Sequence, residues 1–211
     1  KHRWHLCPHC QAMMKKLGLN NEDELQCCFM NRINDYCVGK NKQAFMWSWD
    51  LKDDMLLSEN LGFTKCGDIN TGGRPFIDTS SKAYYIDLPY GYISLKDTAN
   101  HKLYDGNCLG AEATLWTEYV PDMKKADKMT YPRLGAMCET VWRGENSYEQ
   151  FHNKLDYYYS YLDKNRIGYS KLHFANPNRV LGFLQRLWFE KRQLTWEGLS
   201  NIFDDLKVEH I

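Results

Sequence analysis

The chain of 211 residues is long enough for one large domain or two small ones, and its 43% hydrophobic content allows it to bury a sizeable core. Lysine plus arginine and aspartate plus glutamate both number 27, so no excess charge is present to attract a nucleic acid or an anionic membrane surface. No apolar run in the sequence approaches the roughly 20 residues that cross a bilayer. We therefore expect a globular protein that binds neither nucleic acid nor membrane.

The eight cysteines are irregularly spaced, in a chain too long to need a disulfide framework. We expect most of them to be reduced thiols in the core, which favours a cytoplasmic bacterial protein. Two of them form a lone CxxC segment, Cys7-Pro8-His9-Cys10. A structural zinc site usually has a second such pair, which is absent, so a tight turn that caps a helix is the simpler interpretation. A zinc or thiol module is the alternative.

The first strong helix signal follows the CxxC segment. Asn21-Glu22-Asp23-Glu24 resembles a capping box, and Gly39 is a typical helix stop. The apolar residues that recur at helical spacing between them are Leu25, Cys28, Phe29, Ile33 and Tyr36. This pattern predicts an amphipathic helix of about five turns, with these side chains on its buried face.

Three short, nearly continuous apolar runs are typical of parallel strands that are buried on both faces. They cover residues 43–49, 83–88 and 110–118, and each ends in polar or aromatic residues. A weaker strand is indicated at 63–66, before a loop at 71–75.

The chain is predicted to be helical after Glu118. A first apolar stripe at helical spacing comprises Leu134, Met137, Cys138, Val141 and Trp142. Ser147 is a typical N-cap for the next helix. The inward residues of that helix are Phe151, Leu155, Tyr158, Tyr159 and Leu162.

Two more helices are predicted near the end of the chain. Asn176-Pro177 indicates a helix start, with proline at the first helical position. Its predicted buried side comprises Val180, Leu181, Leu184, Leu187 and Trp188. The last helix is expected at about residues 195–208.

Strands separated by helices or long connections indicate a parallel α/β sheet or barrel. A complete (β/α)8 barrel needs about 250 residues, and only three or four strands are apparent. The predicted fold class is therefore α/β, the C-terminal half of a (β/α)8 barrel followed by C-terminal helices. Half a barrel would leave an unpaired strand edge, so we expect at least four further strands upstream in the same polypeptide.

The carboxyl ends of barrel strands carry the functional site, so the residues that close the predicted strands are the candidates. These are Trp47, Tyr85, Asp87, Trp116 and Glu118. Indole rings pack against the apolar faces of a pyranose, and carboxylates accept hydrogen bonds from its hydroxyls. Core packing would explain each aromatic residue alone, but carboxylates are costly to bury without a function. Together the residues predict a sugar site.

Four motifs occur in a fixed order. They are Phe45-Met46-Trp47, Tyr85-Ile86-Asp87, Leu115-Trp116-Thr117-Glu118, and the segment from Tyr131-Pro132-Arg133 to Trp142. They resemble, in turn, strand 5 with its pocket tryptophan, the Tyr-x-Asp motif, the Trp-x-Glu strand and the Pro-Arg-x-x-Ala-x-x-Glu-x-x-Trp helix of the family 20 glycoside hydrolases. The resemblance is to the β-N-acetylhexosaminidases of that family.

The N-terminal segments extend the resemblance. Arg3-Trp4, Cys7-Pro8-His9-Cys10-Gln11 and Asp23-Glu24-Leu25-Gln26 are similar to the stretch that follows the family's catalytic Asp-Glu pair. The resemblance implies that residues 1–165 are the C-terminal half of the catalytic domain, with a helical extension at 166–211 packed on the barrel. The pair itself would lie just before Lys1, so we expect the isolated chain to be inactive and to need the N-terminal half of the same polypeptide.

The reaction implied by the resemblance is substrate-assisted, retaining cleavage of a terminal β-linked N-acetylglucosamine or N-acetylgalactosamine from an oligosaccharide or glycoconjugate. The sugar's own acetamido oxygen attacks C1. By the same resemblance, Tyr85 holds the acetamido carbonyl, and Asp87 supports Tyr85 and the charge of the site. Trp47 and Trp116 wall the pocket, and Glu118 accepts hydrogen bonds from outer hydroxyls. No cofactor and no metal are implied.

The sequence departs from the family at one wall of the pocket. The family usually has another tryptophan on strand 6, but no tryptophan occurs between Asp50 and Leu115. Tyr90, Tyr92 or an upstream residue is expected to replace it, or the pocket is more open. The alternative function is a non-catalytic, sugar-binding member of the same fold.

Two further features are interpreted as structural. Arg133 and Glu139 have a spacing that suits an ion pair behind the barrel. The run Tyr157-Tyr158-Tyr159-Ser160-Tyr161 could form a sugar platform, but about half of its rings must face the core if it is helical.

Overall fold

The computed structural model describes residues 2–48, 56–144 and 147–191. Its strands are β1 (Phe45–Trp47), β2 (Gly62–Lys65), β3 (Phe76–Asp78) and β4 (Cys108–Ala111). Its helices are α1 (His2–Leu6), α2 (Pro8–Leu17), α3 (Glu22–Val38), α4 (Leu95–Asn100), α5 (Met123–Thr130), α6 (Arg133–Arg143), α7 (Tyr148–His152), α8 (Leu155–Lys164), α9 (Leu172–Ala175) and α10 (179–191), with a 3-10 helix at Thr117–Tyr119. The helix predicted at 195–208 lies outside the described residues. None of the described helices is long and apolar enough to cross a membrane.

The four strands form one parallel sheet in the order β1-β2-β3-β4. Each strand therefore pairs with the one before it in the chain, and the order never reverses. A doubly wound sheet reverses its order at a switch point, whereas a (β/α)8 barrel keeps its strands in sequence order. The sheet has the topology of consecutive barrel strands.

The strand predictions are partly confirmed. β1 lies within 43–49, and β2 nearly coincides with 63–66. The strand predicted at 83–88 is wrong, because this buried segment forms turns with an isolated bridge. β4 ends at Ala111, so most of the strand predicted at 110–118 is not a strand. β3 was not predicted from the sequence. A short apolar run has the same composition in a buried turn as in a strand, so composition alone cannot tell which of the two it forms.

The chain divides into two compact units. The first unit comprises Lys1–Ser80 and Leu103–Glu112, and the second comprises Ser81–Lys102 and Ala113–Ile211. The first unit contains the sheet and α1 to α3. Its core residues are Cys27, Met46, Leu57, Leu61, Phe63 and Phe76.

Helix α3 begins as predicted, but a different face is buried. The side chain of Asn21 caps it by accepting a hydrogen bond from the N–H of Glu24 at 2.9 Å. The members of the predicted buried stripe that are exposed are Phe29, Ile33 and Tyr36. The buried positions of α3 are instead Cys27 and Asn34. The buried side is thus partly polar, which apolar periodicity does not reveal.

The second unit is helical around its own core. Its core residues are Tyr90, Leu95, Ala99, Ala136, Phe151, Leu155 and Ala175. The inward face predicted for the helix after Ser147 is confirmed, although the helix is interrupted between α7 and α8. The stripe predicted for α6 is wrong in part, because Cys138 and Trp142 are exposed. The residues that α6 buries are Arg133, Gly135, Ala136, Met137 and Thr140.

Helix α10 begins two residues later than predicted. The side chain of Asn178 caps it by accepting a hydrogen bond from the N–H of Leu181 at 2.9 Å. Members of its predicted apolar side that are exposed are Val180, Leu184, Leu187 and Trp188. The helix buries Gly182, Gln185 and Phe189 instead. It packs through Gly182, whose backbone lies against Gly91.

We expect Gly91→Ala to destabilise the protein by about 1–3 kcal/mol, because a Cβ at this position would overlap the carbonyl oxygen of Gly182. The matched variant is Gly182→Ala, whose Cβ would meet its nearest atom, Pro177 Cγ, at an ordinary 3.6 Å. Alanine also has the higher helix propensity, so this variant should be neutral or gain up to about 1 kcal/mol. Urea unfolding of the complete natural polypeptide measures both, and equal effects would contradict the close backbone contact.

Candidate functional site

Main-chain pairing joins the Tyr-x-Asp segment to the start of the Trp-x-Glu segment. Tyr85 and Thr114 form an isolated parallel bridge. The N–H of Ile86 donates to the carbonyl of Thr114, and the N–H of Thr114 donates to the carbonyl of Tyr84, both at 2.9 Å. Trp116 follows Thr114 by two residues. The second unit therefore holds the two motifs side by side.

The four candidate residues in this unit differ in exposure. Tyr85 and Asp87 are buried, with 8% and 6% of their surface exposed. Trp116, at 41%, and Glu118 are exposed. None of the four closes a strand: Tyr85 forms an isolated bridge and Asp87 lies in a turn, whereas Trp116 precedes the 3-10 helix that contains Glu118. The sequence patterns thus located these residues on the wrong type of element.

Asp87 has a perturbed carboxyl group. Burial raises its pKa to about 6, because desolvation disfavours the charged form. The N–H groups of Asp87 and Leu88 and the positive charge of Arg133 oppose the rise, whereas the negative charge of Glu118 adds to it. Within the described part of the chain, Asp87 Oδ1 has no hydrogen-bond partner. The second unit thus places Asp87 within electrostatic range of both Glu118 and Arg133.

The 3-10 helix that carries Glu118 packs against aromatic rings. The ring of Tyr119 meets the ring of Phe189 edge to face, with centroids 4.6 Å apart. Phe189 also contacts Tyr92, at 5.8 Å. Helix α10 therefore packs against both the turn after Asp87 and the helix of Glu118.

Trp47 belongs to the first unit and closes β1, as the sequence predicted. It is partly buried. The next residue, Ser48, is buried, and its hydroxyl oxygen accepts a hydrogen bond from the N–H of Cys66 at 3.2 Å. The end of β1 is thus tied to the end of β2.

The two tyrosines expected to replace the missing pocket tryptophan have other roles. Tyr90 is almost completely buried, and its hydroxyl lies 2.9 Å from the carbonyl of Lys128. The hydroxyl of Tyr92 donates to the carboxylate of Glu190. A pocket wall formed by Tyr90 is wrong for this reason, because the ring is already enclosed in the core.

The ion pair predicted between Arg133 and Glu139 is also wrong. The carboxylate of Glu139 contacts Lys154 at 2.6 Å and Arg143 at 3.9 Å. Arg133 is fully buried on another face of α6 and donates to main-chain carbonyls. Helical spacing put Arg133 on the same face as Ala136 and Thr140, which the structure shows to be buried, but it gave no signal for the carbonyls that Arg133 contacts.

The tyrosine run divides between surface and core. Tyr157 and Tyr161 are exposed, whereas Tyr158 and Tyr159 pack against the core of the second unit. This split matches the expectation that about half of the rings of a helical run face inward.

The CxxC segment forms the start of α2. Cys7 is at the N-cap, and Pro8 is at the beginning of the helix, as the capping interpretation requires. The N–H and thiol of Cys10 lower the pKa of the Cys7 thiol, and the same contact raises the pKa of Cys10. Over residues 2–48, 56–144 and 147–191, no group of three or more His, Cys, Asp or Glu side chains is placed to hold a metal ion.

Comparison with known families accounts for this combination of motifs. The model of glycosyl hydrolase family 20, catalytic domain, matches residues 1–145. The chain belongs to this family. The match includes the Tyr-x-Asp and Trp-x-Glu segments and all of α6, and it confirms the resemblance that the sequence motifs indicated.

A curated relative is similar to most of this chain. It is the beta-hexosaminidase of Porphyromonas gingivalis, which is 26% identical over 226 residues. The alignment covers 93% of this chain but only 28% of the relative. The chain thus spans less than a third of the length of this relative.

Solved structures confirm the fold. A family 20 exo-β-N-acetylglucosaminidase from Vibrio harveyi, in complex with N-acetylglucosamine, matches with a TM-score of 0.68 and 20% identity, over 80% of this chain and 31% of its own. A β-N-acetylhexosaminidase from Bacteroides fragilis matches with a TM-score of 0.66 and 20% identity, over 82% and 41%. The predicted α/β class, part of a (β/α)8 barrel, is therefore confirmed.

We expect Asp87→Asn to stabilise the protein at neutral pH. The pKa of Asp87 rises from 3.8 to about 6 on folding, so the folded state binds this proton more tightly than the unfolded chain does. The free energy of unfolding therefore falls as the pH rises through this range. A pKa shift of about two units lowers the free energy of unfolding by about 3 kcal/mol at pH values well above 6. The neutral amide of the Asp87→Asn variant has no charge to desolvate, so the variant avoids this loss.

The measurement is the unfolding free energy of the complete natural polypeptide at pH 5 and pH 8. The gain from Asp87→Asn should be larger at pH 8, because Asp87 is mostly protonated at pH 5. Asp105→Asn, in an exposed bend, is the control and should show no comparable gain. An identical gain at both pH values would contradict the raised pKa.

Proposed function

We propose that the complete natural polypeptide is an exo-acting β-N-acetylhexosaminidase. It releases terminal β-linked N-acetylglucosamine or N-acetylgalactosamine from oligosaccharides or glycoconjugates by substrate-assisted, retaining hydrolysis. The chain supplies sugar-binding residues, and the N-terminal half of the same polypeptide supplies the general acid.

The observation that carries the proposal is the pairing of the two family motifs. The bridge between Tyr85 and Thr114 brings the buried Tyr-x-Asp segment next to the segment with Trp116 and Glu118. Membership of family 20 supports a glycosidase, and relatives named for N-acetylglucosaminidase or hexosaminidase activity support this substrate class.

Tyr85 is the residue that holds the nucleophile. Its hydroxyl donates a hydrogen bond to the acetamido carbonyl of the sugar and keeps the oxygen in line with C1. A fixed donor keeps this oxygen aligned with C1 while the oxazolinium-like intermediate forms, and this alignment lowers the barrier through proximity. The buried position of Tyr85 suits this role, since a dry site strengthens the hydrogen bond.

Asp87 and Glu118 form the polar side of the site. Asp87 supports Tyr85 and the positive charge that develops on the sugar, and it is mostly ionised at pH 7 because its pKa is about 6. Glu118, which is exposed, accepts hydrogen bonds from the outer hydroxyls of the sugar. Trp47 and Trp116 pack against the acetamido methyl group and the ring.

The catalytic Asp-Glu pair of the family belongs to the preceding part of the polypeptide in this proposal. Its Asp orients the acetamido group, and its Glu protonates the leaving oxygen. The alternative is a non-catalytic, sugar-binding member of the same fold. The missing tryptophan between Asp50 and Leu115 favours this alternative, because it removes one wall of the family's pocket.

We expect Tyr85→Phe in the complete natural polypeptide to lower kcat for an aryl N-acetyl-β-glucosaminide by about 100- to 1,000-fold, since one donor to the reacting oxygen is lost. KM should change much less. Tyr157→Phe, on the exposed face of α8, is the matched control. Unchanged turnover in the Tyr85 variant would reject the role assigned to its hydroxyl.

We further expect an Asp-Glu dipeptide shortly upstream of Lys1 in the natural polypeptide. Replacing its Glu by Gln should abolish hydrolysis while binding of N-acetylglucosamine persists, because the acid acts only on the leaving group. Calorimetry and a turnover assay separate the two properties. If the dipeptide is absent but the sugar still binds, the non-catalytic alternative is correct.

A further inference from the structure

Arg133, the first residue of α6, is fully buried and donates to main-chain carbonyls. Its guanidinium makes five such hydrogen bonds, as many as it has N–H groups. Nε and Nη2 donate to the carbonyl of Met129 at 3.1 and 2.7 Å. Nη1 donates to the carbonyls of Leu88 and Ile93 at 2.9 and 3.0 Å. Nη2 also donates to the carbonyl of Ile86.

Two of these carbonyls flank Asp87. The carbonyl of Ile86 belongs to the peptide group that joins Ile86 to Asp87, and the carbonyl of Leu88 belongs to the following residue. Both oxygens accept from the same planar, rigid guanidinium. The backbone at Asp87 therefore cannot rotate without breaking at least one of these bonds. Tyr85 is the residue next to Ile86, so the hydrogen bond to the Ile86 carbonyl also restrains the backbone beside Tyr85.

Tyr90 fixes the guanidinium itself. The Cζ atom of Arg133 lies 4.1 Å from the centroid of the Tyr90 ring, in a cation–π arrangement. The hydroxyl of Tyr90 lies 2.9 Å from the carbonyl of Lys128 and 3.0 Å from that of Tyr131. The ring of Tyr90 thus fixes the face of the guanidinium, and the carbonyls fix its N–H groups.

Packing alone does not explain a charge at this position. A buried cation is costly to desolvate, and an apolar side chain of similar size often serves as well where only space must be filled. Among the described residues, no carboxylate forms an ion pair with Arg133. The carbonyl dipoles satisfy it instead, and Asp87 acts on it through its charge.

We propose that Arg133 is a positioning residue that holds Tyr85 and Asp87 in the geometry that the sugar requires. This inference rests on the proposed function, which assigns those two side chains to the substrate. The charge of Arg133 has a second effect, since it lowers the pKa of Asp87 against the rise caused by burial and by Glu118 of the 3-10 helix.

Two variants of the complete natural polypeptide test the proposal. Arg133→Lys keeps a positive charge but has only three N–H donors and no planar fork, whereas Arg133→Met keeps the length and removes the charge. Arg143→Lys is the matched control, because Arg143 is the last residue of the same helix and its side chain is exposed. The readouts are kcat and KM for an aryl N-acetyl-β-glucosaminide as functions of pH, together with thermal unfolding.

The two variants should differ in a way that a purely structural residue would not produce. In Arg133→Lys, kcat should fall at least about tenfold with KM nearly unchanged, because the reacting groups lose their alignment. The acid limb of the pH profile should stay near that of the wild type. In Arg133→Met, the acid limb should also move to higher pH by about one unit, because an opposite charge near Asp87 is lost.

Folded variants that retain kcat and the acid limb, and differ only in melting temperature, would overturn the proposal. If Arg133→Met does not fold, Arg133→Lys decides, since a structural role alone predicts normal kcat in its folded fraction. The Arg143→Lys control should match the wild type in kcat, KM and pH profile.

A readout without substrate separates this inference from the proposed function. The carboxyl band of Asp87 is identified in infrared pH titrations by its loss in Asp87→Asn. Its midpoint should rise in Arg133→Met, and an unchanged midpoint in the folded variant would contradict the electrostatic effect. If the wild type hydrolyses no N-acetylhexosaminide, the proposed function fails, and this titration still decides whether Arg133 controls Asp87.

Discussion

The second unit depends on one buried cation that is satisfied by carbonyl dipoles. Arg133 connects the Tyr-x-Asp segment, the turn at Ile93 and the end of α5 at Met129 through a single planar group. Each of these segments is irregular or at a helix end, where backbone carbonyls lack a regular partner. The arginine supplies the donors that secondary structure would otherwise provide. An ordered, buried turn can therefore carry the candidate site without forming a strand.

The electrostatics of the site follow from this arrangement. A carboxylate in a dry turn beside a second carboxylate is unfavourable, and the raised pKa of Asp87 records that cost. The guanidinium offsets part of it without a direct ion pair, so the carboxylate stays free to interact with a ligand. Glu118 has no such constraint, because it is exposed on its 3-10 helix. The two acidic groups thus have the same chemistry but different environments.

The sequence predicted the sheet class, β1, β2 and the candidate residues, but it located several of them on the wrong elements. The motif resemblance identified Tyr85 and Asp87 without reference to secondary structure, whereas an apolar run could not distinguish their buried turn from a strand. The buried faces of α3 and α10 were predicted wrongly, because apolar periodicity assumes that every apolar face is covered. The role of Arg133 depends on carbonyls more than 40 residues away in the chain, for which a single sequence has no local signal.

The contact between Gly91 and Gly182 has a consequence for motion. Side-chain contacts can absorb a small shift by changing rotamer, but two main chains in direct contact have no such freedom. A displacement of α10 must therefore be transmitted to the turn at Gly91 as a rigid movement, with Phe189 carrying Tyr92 and Tyr119 in the same direction. The position of Glu118 is thus mechanically linked to a helix that is distant in sequence and contributes no candidate residue of its own.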